Sequence, residues 1–158
     1  MEKRIIFELI EIMLDSFYLY DSSDTRYYIR FIGEWETTCP PSVQHYIRHI
    51  MDKMKDRDES SCFTVNYAIG YDGKREIEHA CHQMRADSRL SLSRALWLPN
   101  NIDLVLRTGN TRRMSGFFPL QTSYAEWFFL TKQWPELSEK DVHEILDEYE
   151  KMEFNFGK

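Results

Sequence analysis

The chain has 158 residues, 42% of them hydrophobic and 15% aromatic, enough apolar side chain to build one buried core. Its formal net charge of −6 argues against a general affinity for nucleic acid, so a local cluster of arginines on such an acidic chain suits a small anion. No run approaches the ~20 consecutive apolar residues that a membrane-crossing helix needs, and the acids of Met1-Glu2-Lys3-Arg4-Ile5-Ile6-Phe7-Glu8 interrupt any signal-peptide core. Cys39, Cys62 and Cys81 are odd in number and lie far apart, with no Cys-x-x-Cys pair. Cys62 and Cys81 stand in apolar contexts that suit buried thiols, and the reducing cytoplasm is the simplest compartment for them.

In chain order, Ile5, Ile6, Leu9, Ile10, Ile12, Met13 and Phe17 recur with helical spacing and leave Glu8, Glu11 and Asp15 on the other side. They predict an amphipathic helix over residues 3–19. Residues 27–33 read as a strand stopped by Gly33. Pro40, Pro41 and Ser42 open a second helix through Met54, with Val43, Tyr46, Ile47, Ile50 and Met54 on one face and the charged run 52–59 as its solvated end. The next strand spans residues 62–69, followed by a turn at Gly70, Asp72 and Gly73 and a helix from Lys74 to about Ala86. That passage could present free amides to a phosphate, but it has neither Walker spacing nor G-x-G-x-x-G. A short helix around residues 90–96 leads through Pro99 into a strand ending at Arg107. Residues 114–123 read as helical and 127–131 as a short strand, and Ser138 with Glu139, Asp141 and Val142 begins the last helix. His79 with His82, and His45 with His49, have spacings that helices often show on ordinary faces. Neither pair carries the H-E-x-x-H arrangement of a metal site.

The most informative stretch is Ile102-Asp103-Leu104-Val105-Leu106-Arg107-Thr108-Gly109-Asn110-Thr111-Arg112-Arg113-Met114-Ser115, an apolar strand that ends in three arginines, hydroxyls and a glycine. Leu104, Val105 and Leu106 form the continuous apolar run of a strand buried on both faces, and such sheets bind ligands at the carboxyl ends of their strands. A guanidinium grips phosphate oxygens with paired hydrogen bonds, and Thr108, Ser115 and the amide of Gly109 could add neutral donors, so the natural ligand is a phosphate or diphosphate. The alternative is a solvated turn whose arginines pair with surface carboxylates.

The chain continues as Phe117-Phe118-Pro119-Leu120-Gln121-Thr122-Ser123-Tyr124-Ala125-Glu126-Trp127-Phe128-Phe129 and then Trp134-Pro135. The whole resembles the C-terminal signature of the cis-prenyltransferases, the undecaprenyl and dehydrodolichyl diphosphate synthases: D-L-x-I-R-T-x-G-E-x-R-x-S-x-F, then W-Q-x-x-Y-x-E, then W-P. Upstream, Asn66-Tyr67-Ala68-Ile69-Gly70-Tyr71-Asp72-Gly73-Lys74-Arg75-Glu76-Ile77 is similar to the family's N-x-A-x-x-Y-G-G-R-x-E-I, and Tyr28-Ile29-Arg30-Phe31-Ile32-Gly33-Glu34 to its strand ending in I-G-D. Thr111 stands where the family has glutamate and Leu120 where it has tryptophan. The closing Phe154-Asn155-Phe156-Gly157 lacks the arginines that usually precede Phe-Gly. The family's M-D-G-N-x-R-W loop, whose aspartate is its central catalytic residue, and its S-x-E-N-W strand are not among these residues, so the resemblance covers roughly the last two thirds of the family domain.

The resemblance implies an α/β fold with a mainly parallel sheet flanked by helices, a truncated cis-prenyltransferase fold, in one N-terminally incomplete domain over residues 1–158. It implies that Arg107, Arg113 and Ser115 hold the diphosphate of isopentenyl diphosphate and that Glu126 helps to place Mg2+. No catalytic residue is assigned. The implied reaction condenses isopentenyl diphosphate with an allylic prenyl diphosphate to give a polyprenyl diphosphate. The alternatives are a non-catalytic prenyltransferase subunit or isoprenoid-diphosphate-binding protein, or a truncated inactive product, and the chain alone is expected to be inactive. Expected partners are a second copy or another prenyltransferase chain, with no nucleic acid, in the cytoplasm and at most peripheral to a membrane.

Overall fold

Strands β1 (Tyr27–Ile32) and β2 (Phe63–Ala68) pair in parallel, with Tyr27 opposite Phe63 and Ile32 opposite Ala68. These come from a computed structural model that describes residues 26–153, in which the contacts fall into two units, one ending at Tyr71 and the other beginning at Asp72. The predicted helix over residues 3–19 and the closing Phe-Gly lie outside the described residues.

In the first unit Gly33 ends β1 because the chain turns there with φ +96°, and a Cβ would stand 2.5 Å from the carbonyl oxygen of Ile69. A short helix α1 (Trp35–Thr38) and a long helix α2 (Pro41–Met54) follow. Pro41 starts α2 at the position where a missing N–H costs nothing, and Val43, Ile47, Ile50 and Met54, spaced by four, three and four, are its buried stripe as the sequence predicts. The stripe packs with Ile29 and Phe31 of β1 and with Trp35 and Cys39, while Tyr46 and Tyr67 are half-buried against it. Cys39 is the buried thiol, its pKa raised by desolvation; Cys62 is half-buried and Cys81 exposed, which corrects the expected burial of Cys81. The charged run after α2 is only partly solvated. Arg57 donates to the carbonyl of Tyr27 at 2.7 Å, Arg30 forms an ion pair with Glu59, and Thr64 Oγ1 donates to the same carboxylate at 3.4 Å.

The second unit begins with helix α3 (Gly73–Ala86), capped by Asp72, whose carboxylate accepts from the amides of Lys74 and Arg75 at 2.9 and 3.1 Å. Ala80 is buried with Ala95 of the short helix α4 (Leu92–Ala95) and with Leu96; Met84 and Leu90 close the cluster. Strands β3 (Leu104–Arg107) and β4 (Glu126–Phe129) also pair in parallel, and the expected α/β pattern of parallel strands and helices is present in both units. Between them residues 114–123 form successive turns, not the expected helix. Ser115, Gly116 and Phe118 have φ of 51°, 72° and 41°, left-handed values that no right-handed helix accommodates. Helix α5 (Glu139–Tyr149) opens with the predicted cap: Ser138 and Asp141 bond reciprocally, and Lys132 ties Asp141 to the segment after β4 at 2.6 Å.

Candidate diphosphate site

β3 ends at Arg107, and pairing with β4 fixes the path of the chain beyond it. The amide of Leu130 donates to the carbonyl of Arg107, the amide of Asn110 to that of Leu130 and the amide of Gly109 to that of Lys132, at 2.8, 3.0 and 2.9 Å. The chain therefore leaves the strand in a set direction before the Gly109 and Asn110 bends, both at positive φ. These bonds correct one expectation: the amide of Gly109 is already used and is not a free donor for an anion. The amides at the start of α3 are likewise engaged, by the Asp72 carboxylate, so that passage offers no open phosphate cradle.

Arg107 is half-buried and its guanidinium folds into the loop beyond the strand. One terminal nitrogen donates to the carbonyl of Arg113 and the other to Ser115 Oγ at 3.3 Å. The structure thus brings three of the expected site residues together, with one qualification of chemical weight. Arg107 touches the backbone of Arg113, whose own side chain is exposed. Thr111 Oγ1 bonds back to the Gly109 carbonyl at 3.3 Å, which stiffens the loop between them. Among the described residues no carboxylate pairs with Arg107, Arg112 or Arg113, and this disfavours the alternative of a turn whose arginines are neutralised on the surface.

Glu126 is placed differently. It faces Leu104 in the register, at the entrance of the β3–β4 ladder, while Arg107 faces Phe129 at its exit. At ~3.3 Å per residue these rows are roughly 10 Å apart along the strands, because parallel pairing puts the two strand starts at one edge and the two ends at the other. Glu126 is half-buried and is not brought beside the arginines. Among the described residues no group of three or more carboxylate, imidazole or thiolate side chains stands together. One carboxylate does not fit a resident metal centre. It fits magnesium only as an ion that arrives on a diphosphate, with phosphate oxygens and waters as its other ligands.

Two residues that the motifs include, but to which sequence reasoning gave no role, form a buried polar pair in the same unit. Glu76 of α3 is fully buried and accepts from the amide of Leu98 at 3.1 Å and from Gln121 Nε2 at 3.0 Å; Gln121 Nε2 also donates to the carbonyl of Leu98 at 2.9 Å. A signal was available: Gly73, Glu76 and Ala80 share the inward face of α3, so Glu76 occupies a position that helical periodicity reserves for an apolar side chain.

The prenyltransferase family model of undecaprenyl diphosphate synthases matches residues 1–157. The chain belongs to that family. An isoprenyl transferase of Campylobacter jejuni is 32% identical over 99% of this chain and 70% of its own length, and one of Rickettsia prowazekii is 31% identical over 74% of this chain and 54% of its own. A tritrans,polycis-undecaprenyl-diphosphate synthase (geranylgeranyl-diphosphate specific) of Pyrobaculum aerophilum is 32% identical over 85% of this chain and 60% of its own length. The chain thus spans less than two thirds of the length of two of these three relatives. The crystal structure of a probable undecaprenyl diphosphate synthase from Campylobacter jejuni superposes with a TM-score of 0.84 at 32% identity, covering 99% of this chain and 75% of that one. A lavandulyl diphosphate synthase from Lavandula x intermedia, at 20% identity and a TM-score of 0.80, shares the fold. Among the described residues no helix is long and apolar enough to cross a membrane.

Proposed function

We propose that this chain binds isopentenyl diphosphate at the exit of β3 and serves the condensation that joins it to an allylic prenyl diphosphate. The observation that carries the reading is the Arg107 guanidinium, fixed by the Arg113 carbonyl and Ser115 Oγ at the carboxyl end of a parallel strand, with the Arg112 and Arg113 side chains exposed on the same loop and, among the described residues, no carboxylate paired with any of the three. Membership of the family supports the same reaction class.

In that reaction the double bond of isopentenyl diphosphate attacks C1 of the allylic substrate, the bond from C1 to its diphosphate breaks, and inorganic diphosphate leaves. A proton is then lost from the former isopentenyl unit, giving a cis double bond in a chain five carbons longer. Arg107, Arg113 and Ser115 would hold the diphosphate of the nucleophilic substrate, and guanidinium forks suit this because they neutralise charge without being deprotonated. Magnesium, when present, would screen diphosphate charge, with Glu126 as a protein carboxylate that would help to hold it. The exposed Tyr124 and Trp134, with Trp127 and Phe129 stacked at 5.7 Å, support association with a second copy or another prenyltransferase chain through this segment. The water-soluble diphosphate substrates support a cytoplasmic place.

The test is to incubate the chain with farnesyl diphosphate, labelled isopentenyl diphosphate and magnesium. Binding of isopentenyl diphosphate without condensation is expected, because the loop pattern M-D-G-N-x-R-W that would hold the allylic diphosphate is not among these residues. Butanol-extractable product at about one turnover per second or faster would refute that division of labour. Absence of any binding would refute the site.

A further inference from the structure

The buried pair of Glu76 and Gln121 joins the elements that must stay in register for the site to exist. Glu76 lies one helical turn after Gly73, and a Cβ on Gly73 would stand 2.3 Å from the carbonyl oxygen of Gly116 and 2.6 Å from Pro119, so the first turn of α3 lies directly against the segment just after Ser115. Gln121 is the junction. Its side chain is held by Glu76 and by the Leu98 carbonyl, while its backbone carbonyl accepts from the amide of Ile102 at 2.9 Å, at the entry to β3. Next to it Thr122 returns two bonds to the Phe118 carbonyl, from its amide at 2.9 Å and from its hydroxyl at 2.8 Å, and these close the turns that start at Ser115.

The amide of Gln121 can sit only one way round. Both acceptors that it faces need its N–H groups, and turning it over would set its oxygen against a carboxylate and a carbonyl. Its own oxygen is left buried without a hydrogen-bond partner among the described residues, a cost that the structure accepts in order to keep both donors in use. An apolar contact would fill this space without such a cost. The polar pair supplies a direction in addition: it fixes where Gln121 sits, and through it the strand that delivers Arg107 and the turns that deliver Ser115.

We infer that Glu76 and Gln121 are positioning residues for the diphosphate site, holding the β3 exit and the Ser115 turn in one arrangement; the inference rests on the proposed binding at Arg107. Neither residue is expected to touch the ligand. The bond that each makes can be removed with little change of volume by Glu76→Met or Gln121→Met, while Glu76→Gln keeps an oxygen for Leu98 and Gln121.

The experiment uses the whole chain, calorimetric titration with isopentenyl diphosphate, and the Arg107 Nε–H and Ser115 amide signals in nitrogen–proton correlation spectra. Glu76→Met and Gln121→Met are each expected to weaken binding about tenfold per folded molecule and to shift both signals, whereas Glu76→Gln restores affinity to within about twofold and both signals to their original positions. A role in stability alone would lower the melting temperature but leave the affinity of the folded fraction and the two signals unchanged, and that result overturns the inference. If a methionine variant does not fold, Gln121→Asn, which draws the amide back by one methylene, takes its place with the same two expectations. Arg107→Ala separates the two levels. Loss of binding in Arg107→Ala with none in the pair variants overturns the positioning role and leaves the site standing. If the unaltered chain binds nothing, the site reading fails, and the positioning role is then decided by whether the two signals move.

Discussion

Gly73→Ala measures how tightly the arginine loop is fastened to its scaffold. The added Cβ would meet the Gly116 carbonyl oxygen at 2.3 Å and the Pro119 ring at 2.6 Å, both far inside contact distance and neither at the end of a flexible side chain. About 1 Å of backbone movement is needed to restore van der Waals separation; overpacking costs about 1–3 kcal/mol, and because a backbone carbonyl and a proline ring cannot swing aside, the upper part of that range, about 2–3 kcal/mol, applies here. Two effects oppose it. Alanine restricts the unfolded chain more than glycine does and it favours the helix, together worth up to about 1 kcal/mol at a first-turn position. The net loss is then about 1–2 kcal/mol, a fall of roughly 2–8 °C in Tm for a chain of this length. Thermal unfolding followed by circular dichroism reads it directly. Because the segment that must move lies just after Ser115, affinity for isopentenyl diphosphate should fall as well. An unchanged or higher Tm would refute the close approach and with it the fastening of the loop to α3.

Hydrogen bonds from Lys132 and Ser138 hold the Asp141 carboxyl well below the ordinary carboxylate range, so its folded pKa is depressed. The stability it contributes is present above the unfolded value near 3.8 and is lost as pH falls through the folded one. The difference in Tm between the unaltered chain and Asp141→Asn should therefore be constant from pH 7 to about pH 5 and shrink below about pH 4; a difference independent of pH would contradict the capping geometry. Tyr67, stacked on Phe31 with ring centroids 5.4 Å apart, has its pKa pushed up to about 12 by burial. Its contribution is complete below the ordinary value near 10 and is lost as pH rises toward 12. In an ultraviolet titration it should be the late-ionising phenol, and disappearance of that late phase in Tyr67→Phe is the check.

Much of this architecture was legible because local and tertiary signals agreed. Gly33 had to turn where β1 stops, Pro41 could only begin a helix, and the spacing of Val43, Ile47, Ile50 and Met54 specified which face α2 would bury. Ser138 with Asp141 formed the cap that their separation allowed. The sequence failed where backbone geometry or buried polarity overrode pattern. Residues 114–123 read as helical, yet Ser115, Gly116 and Phe118 take left-handed φ values that break any helix just where Ser115 meets Arg107. The amides of Gly109, Lys74 and Arg75 could not be known to be engaged, since their partners are a distant carbonyl and a capping carboxylate. The resemblance gives Arg107 and Glu126 roles around one diphosphate, and only the register shows them at opposite ends of one ladder. Glu76 was hidden by its charge, because a glutamate on a helix reads as solvated until Leu98 and Gln121 are found around it.

The central claim is that a diphosphate binds at the exit of β3 through particular arginines, and calorimetric titration of isopentenyl diphosphate into the unaltered chain and its Arg107→Ala, Arg112→Ala and Arg113→Ala variants tests it most directly. A charge-assisted hydrogen bond contributes about 1.5–3 kcal/mol, so losing the anchored Arg107 or the exposed Arg113 side chain should weaken binding about ten- to a hundredfold, with Arg112→Ala changing it by less than about threefold. Equal losses in all three would mean a diffuse basic patch, and no binding by the unaltered chain would contradict the site itself.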